Sequence, residues 1–270
     1  MRADAYEFFD PPFIAYAHRG GAHYPPNENR ENSLHAFAEA AAMGYRYLET
    51  DVHATSDGVL LAFHDDRLDR VTDHKGVIAE MTYAQVREAR IGGIDPIPLF
   101  EDLLLAFPKA RFNVDAKSPA SVDLLADVIV KHEAYGRVCV TSFGIRRLHR
   151  LRRRLGHRVP SAASKVGIAV NRYAPWLTRF VNTSAPVLQI PVEYPILGHQ
   201  VRLFTPALVK AVHAAGKQVH IWTVDDSESI AELIDAGADG IFTDRIDTLK
   251  TVLEQRSLWT AAEAEQSEEP

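Results

Sequence analysis

The chain has a single cysteine, Cys139, among its 270 residues, which excludes an intrachain disulfide and any disulfide-stapled scaffold. A lone thiol suits a reducing compartment, and its neighbours Val138 and Val140 mark it as core filler rather than a nucleophile. Long apolar runs are also missing. Residues 59–63 and 103–107 are the longest, at roughly five residues against the 18 or more of a membrane span. The N-terminal stretch carries Asp4, Glu7 and Asp10 where a secretory signal needs an apolar core, so the expected location is cytoplasmic. There is no basic excess: 30 Lys and Arg stand against 36 Asp and Glu, a net charge of −6, which argues against a nucleic-acid partner. No Pro- or Gly-rich linker divides the chain, so one domain is expected. Residues 260–270 hold four glutamates and no basic residue, and read as an acidic disordered tail.

What is present is an alternation. Short β-rich runs at 13–17, 47–52, 112–116, 138–141, 160–163, 187–190, 218–222 and 240–242 are separated by helical stretches. The helices fall at 33–43, 121–132, 145–155, 206–215 and 227–236. Strand and helix repeated in this way imply a parallel sheet. Eight strands in about 240 residues fit a closed (β/α)8 barrel better than a doubly wound open sheet.

Residues 52–64 break the pattern. Asp57-Gly58 is a two-residue hairpin signal with strand-like flanks. If those two form the turn, Ser56 faces Val59 and Asp51 faces His64. The spacing therefore predicts a hairpin that rises above the barrel and returns His64 beside Asp51. Residues 65–98, with turn signals and a short helix expected at 83–89, read as a small insertion on that side. Residues 167–185 read as irregular, with Trp176 and Phe180 placed to cover a barrel end.

Polar clusters fall at the strand ends: His18-Arg19-Gly20-Gly21, Glu49-Thr50-Asp51, His64-Asp65 and Asp115-Ala116-Lys117. In a barrel, the C-terminal strand ends form the mouth where chemistry sits. Glu49 and Asp51 are two apart on a strand and point to one face. Carboxylates held so close repel, and one divalent cation resolves the repulsion, with Asp115 supplying a third oxygen. Oxygen-only ligation favours Mg²⁺, Ca²⁺ or Mn²⁺ over zinc. One acid pair alone would read as a solvated strand end; three acids with two histidines read as a site. His18 and His64 are the candidates for proton transfer. Arg19 and Lys117 read either as phosphate ligands or as salt-bridge partners of those acids. Together these residue types describe phosphate-ester chemistry.

Trp222 reads either as a stacking surface for substrate or as a barrel-interior aromatic. Gln189 and Glu193, at the end of a late strand, are placed against the leaving-alcohol side, and Asn113 below Asp115. Seven arginines lie between residues 146 and 158, above an apolar stripe of Ile145, Leu148, Leu151 and Leu155. The stripe favours a solvated helix face over an anionic-membrane or nucleic-acid patch.

In this order the clusters resemble the glycerophosphodiester phosphodiesterase family. The likeness is carried by His18-Arg19-Gly20, Glu31-Asn32-Ser33, Glu49-x-Asp51-Val52 and His64-Asp65-x-x-Leu68-x-Arg70-x-Thr72 with Gly76. It continues through Asp115-x-Lys117, Trp222-Thr223-Val224-Asp225 and Gly237-Ala238-Asp239-Gly240-Ile241-Phe242-Thr243-Asp244. It covers residues 13–250, and so many motifs in one order make it specific. The resemblance implies a (β/α)8 TIM barrel of the phospholipase C-like phosphodiesterase type, with its short insertion at residues 65–98. It implies metal-dependent hydrolysis of a small glycerophosphodiester to sn-glycerol 3-phosphate and an alcohol. Glu49, Asp51 and Asp115 would hold one divalent cation, Mg²⁺ or Ca²⁺ with Mn²⁺ a further candidate. His18 and His64 would serve as general acid and base, and Arg19 and Lys117 would bind phosphate. Two alternatives stay open: a lysophospholipase D- or sphingomyelinase D-like lipid hydrolase, and a non-catalytic phosphate-binding barrel. The sequence departs from the family pattern twice. Asp115 stands where Glu is common, shortening one ligand arm, and Arg30 stands where Pro usually precedes Glu31-Asn32.

Overall fold

The structure, a computed structural model, describes residues 1–174, 185–196 and 198–260. Its strands are β1 (Ile14–His18), β2 (Tyr47–Ala54), β3 (Leu60–Ala62), β4 (Arg111–Ala116), β5 (Val138–Thr141), β6 (Val187–Ile190), β7 (Gln218–Ile221) and β8 (Gly240–Thr243). Across the sheet the order is β5, β4, β2, β1, β8, β7, β6, and β3 pairs with β2 outside that path. The seven on the path run parallel. Ser161 bridges Val140 of β5, and Ala162 bridges Val187 of β6, both in parallel, so the sheet closes on itself as a (β/α)8 barrel. The strand expected at residues 160–163 is thus only two bridged residues. The Arg152 guanidinium, 2.8 Å from both Ser161 Oγ and Ala162 O, occupies a backbone carbonyl there that a longer ladder would use.

The helices are α1 (Leu34–Ala42), α2 (Phe100–Ala106), α3 (Ser121–Lys131), α4 (Ile145–Leu155), α5 (Lys165–Tyr173), α6 (Pro206–Ala214), α7 (Ser227–Asp235) and α8 (Ile246–Gln255). The sequence reading omits α2, α5 and α8. Helix α5 occupies a stretch read as irregular, because Gly167 and three valine or isoleucine residues lower its helix propensity. Its start is set by Ser164, whose hydroxyl accepts from the Gly167 N–H at 3.2 Å. Trp176, Phe180 and the acidic stretch after Thr260 lie outside the described residues. On α4, Arg150 pairs with Asp123 and Arg154 with Asp127 of α3, so two of the seven arginines form helix–helix ion pairs.

The two-residue period of the strands divides the apolar residues into two cores. Outward-facing Leu48, Phe112, Val114 and Val140 pack against Phe37, Leu125 and Leu151 of the helices. Inward-facing Ile14, Tyr16, Tyr47, Cys139 and Phe242 fill the lower barrel, where Phe8 and Phe9 of the N-terminal segment join them. Tyr16 and Phe242 stack at 4.0 Å. Burial pushes the Cys139 thiol up, as befits core filler. Higher on the strands, the inward positions include His18, Glu49, Asn113 and Gln189. The packed interior therefore ends where the polar mouth begins.

The hairpin register differs from expectation by one residue. Val52 faces Ala62, His53 faces Leu61 and Ala54 faces Leu60. The Thr55 N–H donates to Val59 O at 3.0 Å around a three-residue loop, Ser56-Asp57-Gly58, with Gly58 at φ +81°. A left-handed glycine closing a three-residue turn is the common alternative to the two-residue type. Phe63, not His64, therefore lies across from Asp51, its N–H donating to Asp51 O at 2.8 Å. Phe63 is buried with Leu68, Ile78, Val86 and Ile91 in a small core of the insertion. The short helix there spans Tyr83–Val86, less than expected.

Two glycines with similar backbones give a test. At Gly20 (φ +84°) a Cβ would lie 2.7 Å from Ala36 Cβ, whereas at Gly58 (φ +81°) it would meet nothing within 4 Å. Gly58→Ala is expected to cost about 1 kcal/mol, and Gly20→Ala about 3 kcal/mol because clash adds to backbone strain. Thermal denaturation of both variants decides it; equal losses would contradict the close approach of the first loop to α1.

Candidate active site

Parallel register brings the strand-end clusters to common levels. His18 is level with Glu49, and Glu49 with Asn113; Asp51 is level with Asp115, and Asp115 with Thr141. They surround a cavity of about 380 Å³ at the C-terminal mouth. Nine of the residues expected at the site line it: His18, Arg19, Glu49, Asp51, His64, Asp115, Lys117, Gln189 and Trp222. Asn113 does too, with its Oδ1 accepting from Gln189 Nε2 at 2.6 Å. Glu193 does not; it is exposed on a ribbon of Glu193–Ile196 and His199–Arg202.

Each histidine is held by a carboxylate. His18 Nδ1 lies 2.7 Å from Asp244 Oδ1, and His64 Nδ1 lies 2.6 Å from Asp65 Oδ1. With Nδ1 engaged, Nε2 is the nitrogen left for proton exchange. Burial disfavours the His18 imidazolium, but Glu49 and Asp244 outweigh it and raise the pKa. The Asp65 carboxylate is partly desolvated, yet Arg70 and His64 hold it down to about 2.

The acids are buried and tightly balanced by cations. Lys117 Nζ is 2.9 Å from both Asp51 Oδ1 and Asp115 Oδ2, and Arg19 Nε is 3.4 Å from Asp51 Oδ2. The salt-bridge reading of Arg19 and Lys117 is therefore realised in this structure. Burial opposes ionisation of Asp51, but Lys117 and Arg19 overcome it and lower its pKa. Burial and the Asp51 charge push Glu49 up. Burial also raises Asp115, with Lys117 opposing.

Two carboxylate oxygens, Asp51 Oδ2 and Asp115 Oδ1, are buried and accept no hydrogen bond. Acceptors of this kind are costly unless matched by positive charge, so the donor set fits a hard cation. Among the described residues a tighter group also exists at the rim, where ligand atoms of His23, Asp225 and Asp244 lie within 4.8 Å of one another. Its residues also bond to one another and to their neighbours: His23 Nδ1 lies 3.3 Å from Asp225 Oδ2. Asp225 Oδ1 accepts from Thr243 Oγ1 at 3.0 Å and from the Asp244 N–H at 2.8 Å, and Asp244 holds His18.

Comparison with known proteins decides the family. Residues 18–248 match the sequence model of the glycerophosphoryl diester phosphodiesterase family. The chain belongs to this family. A Mycobacterium tuberculosis protein named "Probable glycerophosphodiester phosphodiesterase 2" is 39% identical over 255 residues, covering 92% of this chain and 94% of that one. Among solved structures, an Oleispira antarctica phosphodiesterase in complex with the product sn-glycerol-3-phosphate superposes with a TM-score of 0.75 at 21% identity. It covers 89% of this chain and 96% of its own. A glycerophosphodiester phosphodiesterase from Agrobacterium tumefaciens gives a TM-score of 0.72 at 21% identity, covering 88% and 99%. At these identities the structural likeness bears on the fold alone.

The motifs of this phosphodiesterase family member have local physical reasons. Arg19 adopts φ +51°, and its N–H donates to Glu49 O at 3.0 Å. Glu31 receives Arg19 at 3.1 Å and Arg70 at 2.7 Å, linking the first loop to the insertion. Asn32, also left-handed at φ +60°, accepts the Thr50 hydroxyl at 2.8 Å, and Ser33 caps α1. Arg30 makes a two-point ion pair with Asp95, at 2.6 and 2.7 Å, and ties the same loop to the insertion. Asp239 accepts the Val219 N–H at 2.7 Å and joins β8 to β7.

Sequence reasoning assigned no role to Asp244, Phe143 or Lys165. Asp244 stands one residue past β8 in a quoted motif, and strand-end position was the signal available. Phe143, 50% exposed just past β5, shows its Trp222 contact only in three dimensions. Asp244→Asn is expected to lower kcat about tenfold with KM nearly unchanged, and to move the His18-dependent limb of the pH profile to lower pH. Losing the carboxylate removes support for the imidazolium, which sets that direction. An unmoved profile with reduced kcat would assign Asp244 a merely structural part.

Proposed function

We propose that the protein hydrolyses small glycerophosphodiesters to sn-glycerol 3-phosphate and an alcohol, using His18 and His64 for proton transfer. The observation that carries this reading is two histidines, each held at Nδ1 by its own carboxylate, on one cavity with three buried acids and two cations. Family membership and the product complex of the Oleispira antarctica protein support the substrate class.

Glu49, Asp51 and Asp115 would hold one divalent cation, Mg²⁺, Ca²⁺ or Mn²⁺, which supplies Lewis-acid stabilisation of phosphoryl oxygen and a lowered hydroxyl pKa when bound. The chain's own groups do the rest. Arg19 and Lys117 present N–H donors to the phosphate from the rim of the acid cluster, fixing its orientation and offsetting charge. One histidine takes the proton of the attacking hydroxyl, whether of water or of the neighbouring glycerol carbon, as the new phosphorus–oxygen bond forms. The other gives a proton to the departing alcohol oxygen as the old bond breaks. Trp222 and Gln189 also line the cavity and would face the alcohol.

A second reading is cleavage of lysophospholipids. The apolar wall of Ile168, Ile196 and Leu203 favours it, and a lysophospholipase D of Homo sapiens is 27% identical over 271 residues. Glycerophosphocholine and lysophosphatidylcholine offered side by side separate the two. Faster cleavage of the acylated substrate would favour the second; cleavage of the deacylated one alone upholds the first.

A further inference from the structure

We infer that the alcohol side of the cavity is a subsite for a leaving alcohol that carries negative charge, and that Lys165 reads this charge. The inference rests on the phosphodiesterase reading and adds the substrate class to it. The acids of the cavity, Glu49, Asp51 and Asp115, gather with Lys117 on one side, where the phosphate and glycerol are placed. The cavity also has an aromatic and apolar lining, to which Phe143, Tyr194, Trp222 and Leu203 contribute. Trp222 meets Phe143 edge-on at 5.7 Å.

Aromatic walls of this kind commonly hold a quaternary ammonium by cation–π attraction. Here the protein supplies its own cation. Lys165, the first residue of α5, places Nζ 5.7 Å from the centre of the Phe143 ring and 5.8 Å from that of Tyr194. Phe143 also carries Lys117 Nζ at 5.8 Å, so this exposed ring joins the phosphate side to the Lys165 side. Among the described residues no carboxylate pairs with Lys165, and its neighbours are the two rings. Arg147 donates to the cavity-lining Ser142 Oγ at 2.8 Å, which adds a further positive charge near the cavity.

A choline or ethanolamine group entering this wall meets like charge on the ring faces it would use. A phosphate or carboxylate on the alcohol meets an exposed ammonium at the cavity edge, with no competing carboxylate among the described residues. Neutral polyols fall between. The subsite therefore ranks diesters by the charge of their alcohol: anionic first, neutral next, cationic last.

The test compares kcat/KM for three diesters in the full-length protein with saturating divalent metal: glycerophosphocholine, glycerophosphoglycerol, and glycerophosphoglycerol bearing a terminal phosphate. The wild-type protein is expected to prefer the phosphate-bearing diester over the choline diester by about tenfold or more. Lys165→Met is expected to reduce that ratio roughly tenfold, and Lys165→Glu to invert the preference, chiefly through KM. A salt titration should weaken the wild-type preference. A ratio that stays the same in both variants, or a wild-type preference for choline, overturns the inference. Cleavage of none of the three diesters under any metal condition instead overturns the phosphodiesterase reading on which it stands.

Discussion

His18→Ala and His64→Ala are each expected to lower kcat for a glycerophosphodiester by about 10²- to 10⁴-fold, while the barrel stays folded. The size follows from what the side chains are positioned to do. Each imidazole has Nδ1 fixed by a carboxylate, at 2.7 Å for Asp244 and 2.6 Å for Asp65, so each presents Nε2 in one orientation. Deleting either leaves the attacking hydroxyl or the leaving oxygen without its proton partner. The stability cost is modest because both rings are only partly buried at the mouth and support no core packing. Circular dichroism melting beside steady-state kinetics separates the two effects. Near-normal turnover in either variant would remove that histidine from the scheme.

Asp51→Asn is expected to lower activity by about 10³-fold or more and to weaken divalent-cation binding in a calorimetric titration. Asp51 is the most connected acid of the site: Lys117 lies 2.9 Å away, Arg19 3.4 Å, and Glu49 shares its strand face. Asparagine keeps the shape but removes the charge, so Lys117 retains only Asp115 as a close anionic partner. Loss of the Lys117 attraction destabilises the fold, whereas relief of repulsion with Glu49 stabilises it. The net change in melting is therefore expected to be small beside the change in activity. Activity within tenfold of wild type, with unaltered metal titration, would contradict the role given to Asp51.

Much of this was legible in the sequence because strand periodicity and strand ends are local features. Glu49 and Asp51 share a face by spacing alone, and the parallel register then brings Asp115 level with Asp51. His18 and Lys117 reach the same mouth because they end β1 and follow β4. What escaped depended on backbone detail or on tertiary contacts. The Asp57-Gly58 pair signalled a turn correctly, but the left-handed Gly58 closes a three-residue loop, which moves Phe63 opposite Asp51. Helix α5 was hidden by its glycine and β-branched residues, and with it the position of Lys165. The pairing of Asp244 with His18 spans 226 residues and no spacing rule reaches it. Glu193 was placed by proximity to β6, but the ribbon that follows carries it out to solvent.

The most direct test of the central claim is release of sn-glycerol 3-phosphate from a glycerophosphodiester by the purified chain. It is measured after chelation and again with Mg²⁺, Ca²⁺ or Mn²⁺ restored. The account predicts release that chelation abolishes and at least one of these ions restores. Absence of release with every ion would contradict the phosphodiesterase reading, and release undiminished by chelation would contradict the cation assigned to Glu49, Asp51 and Asp115.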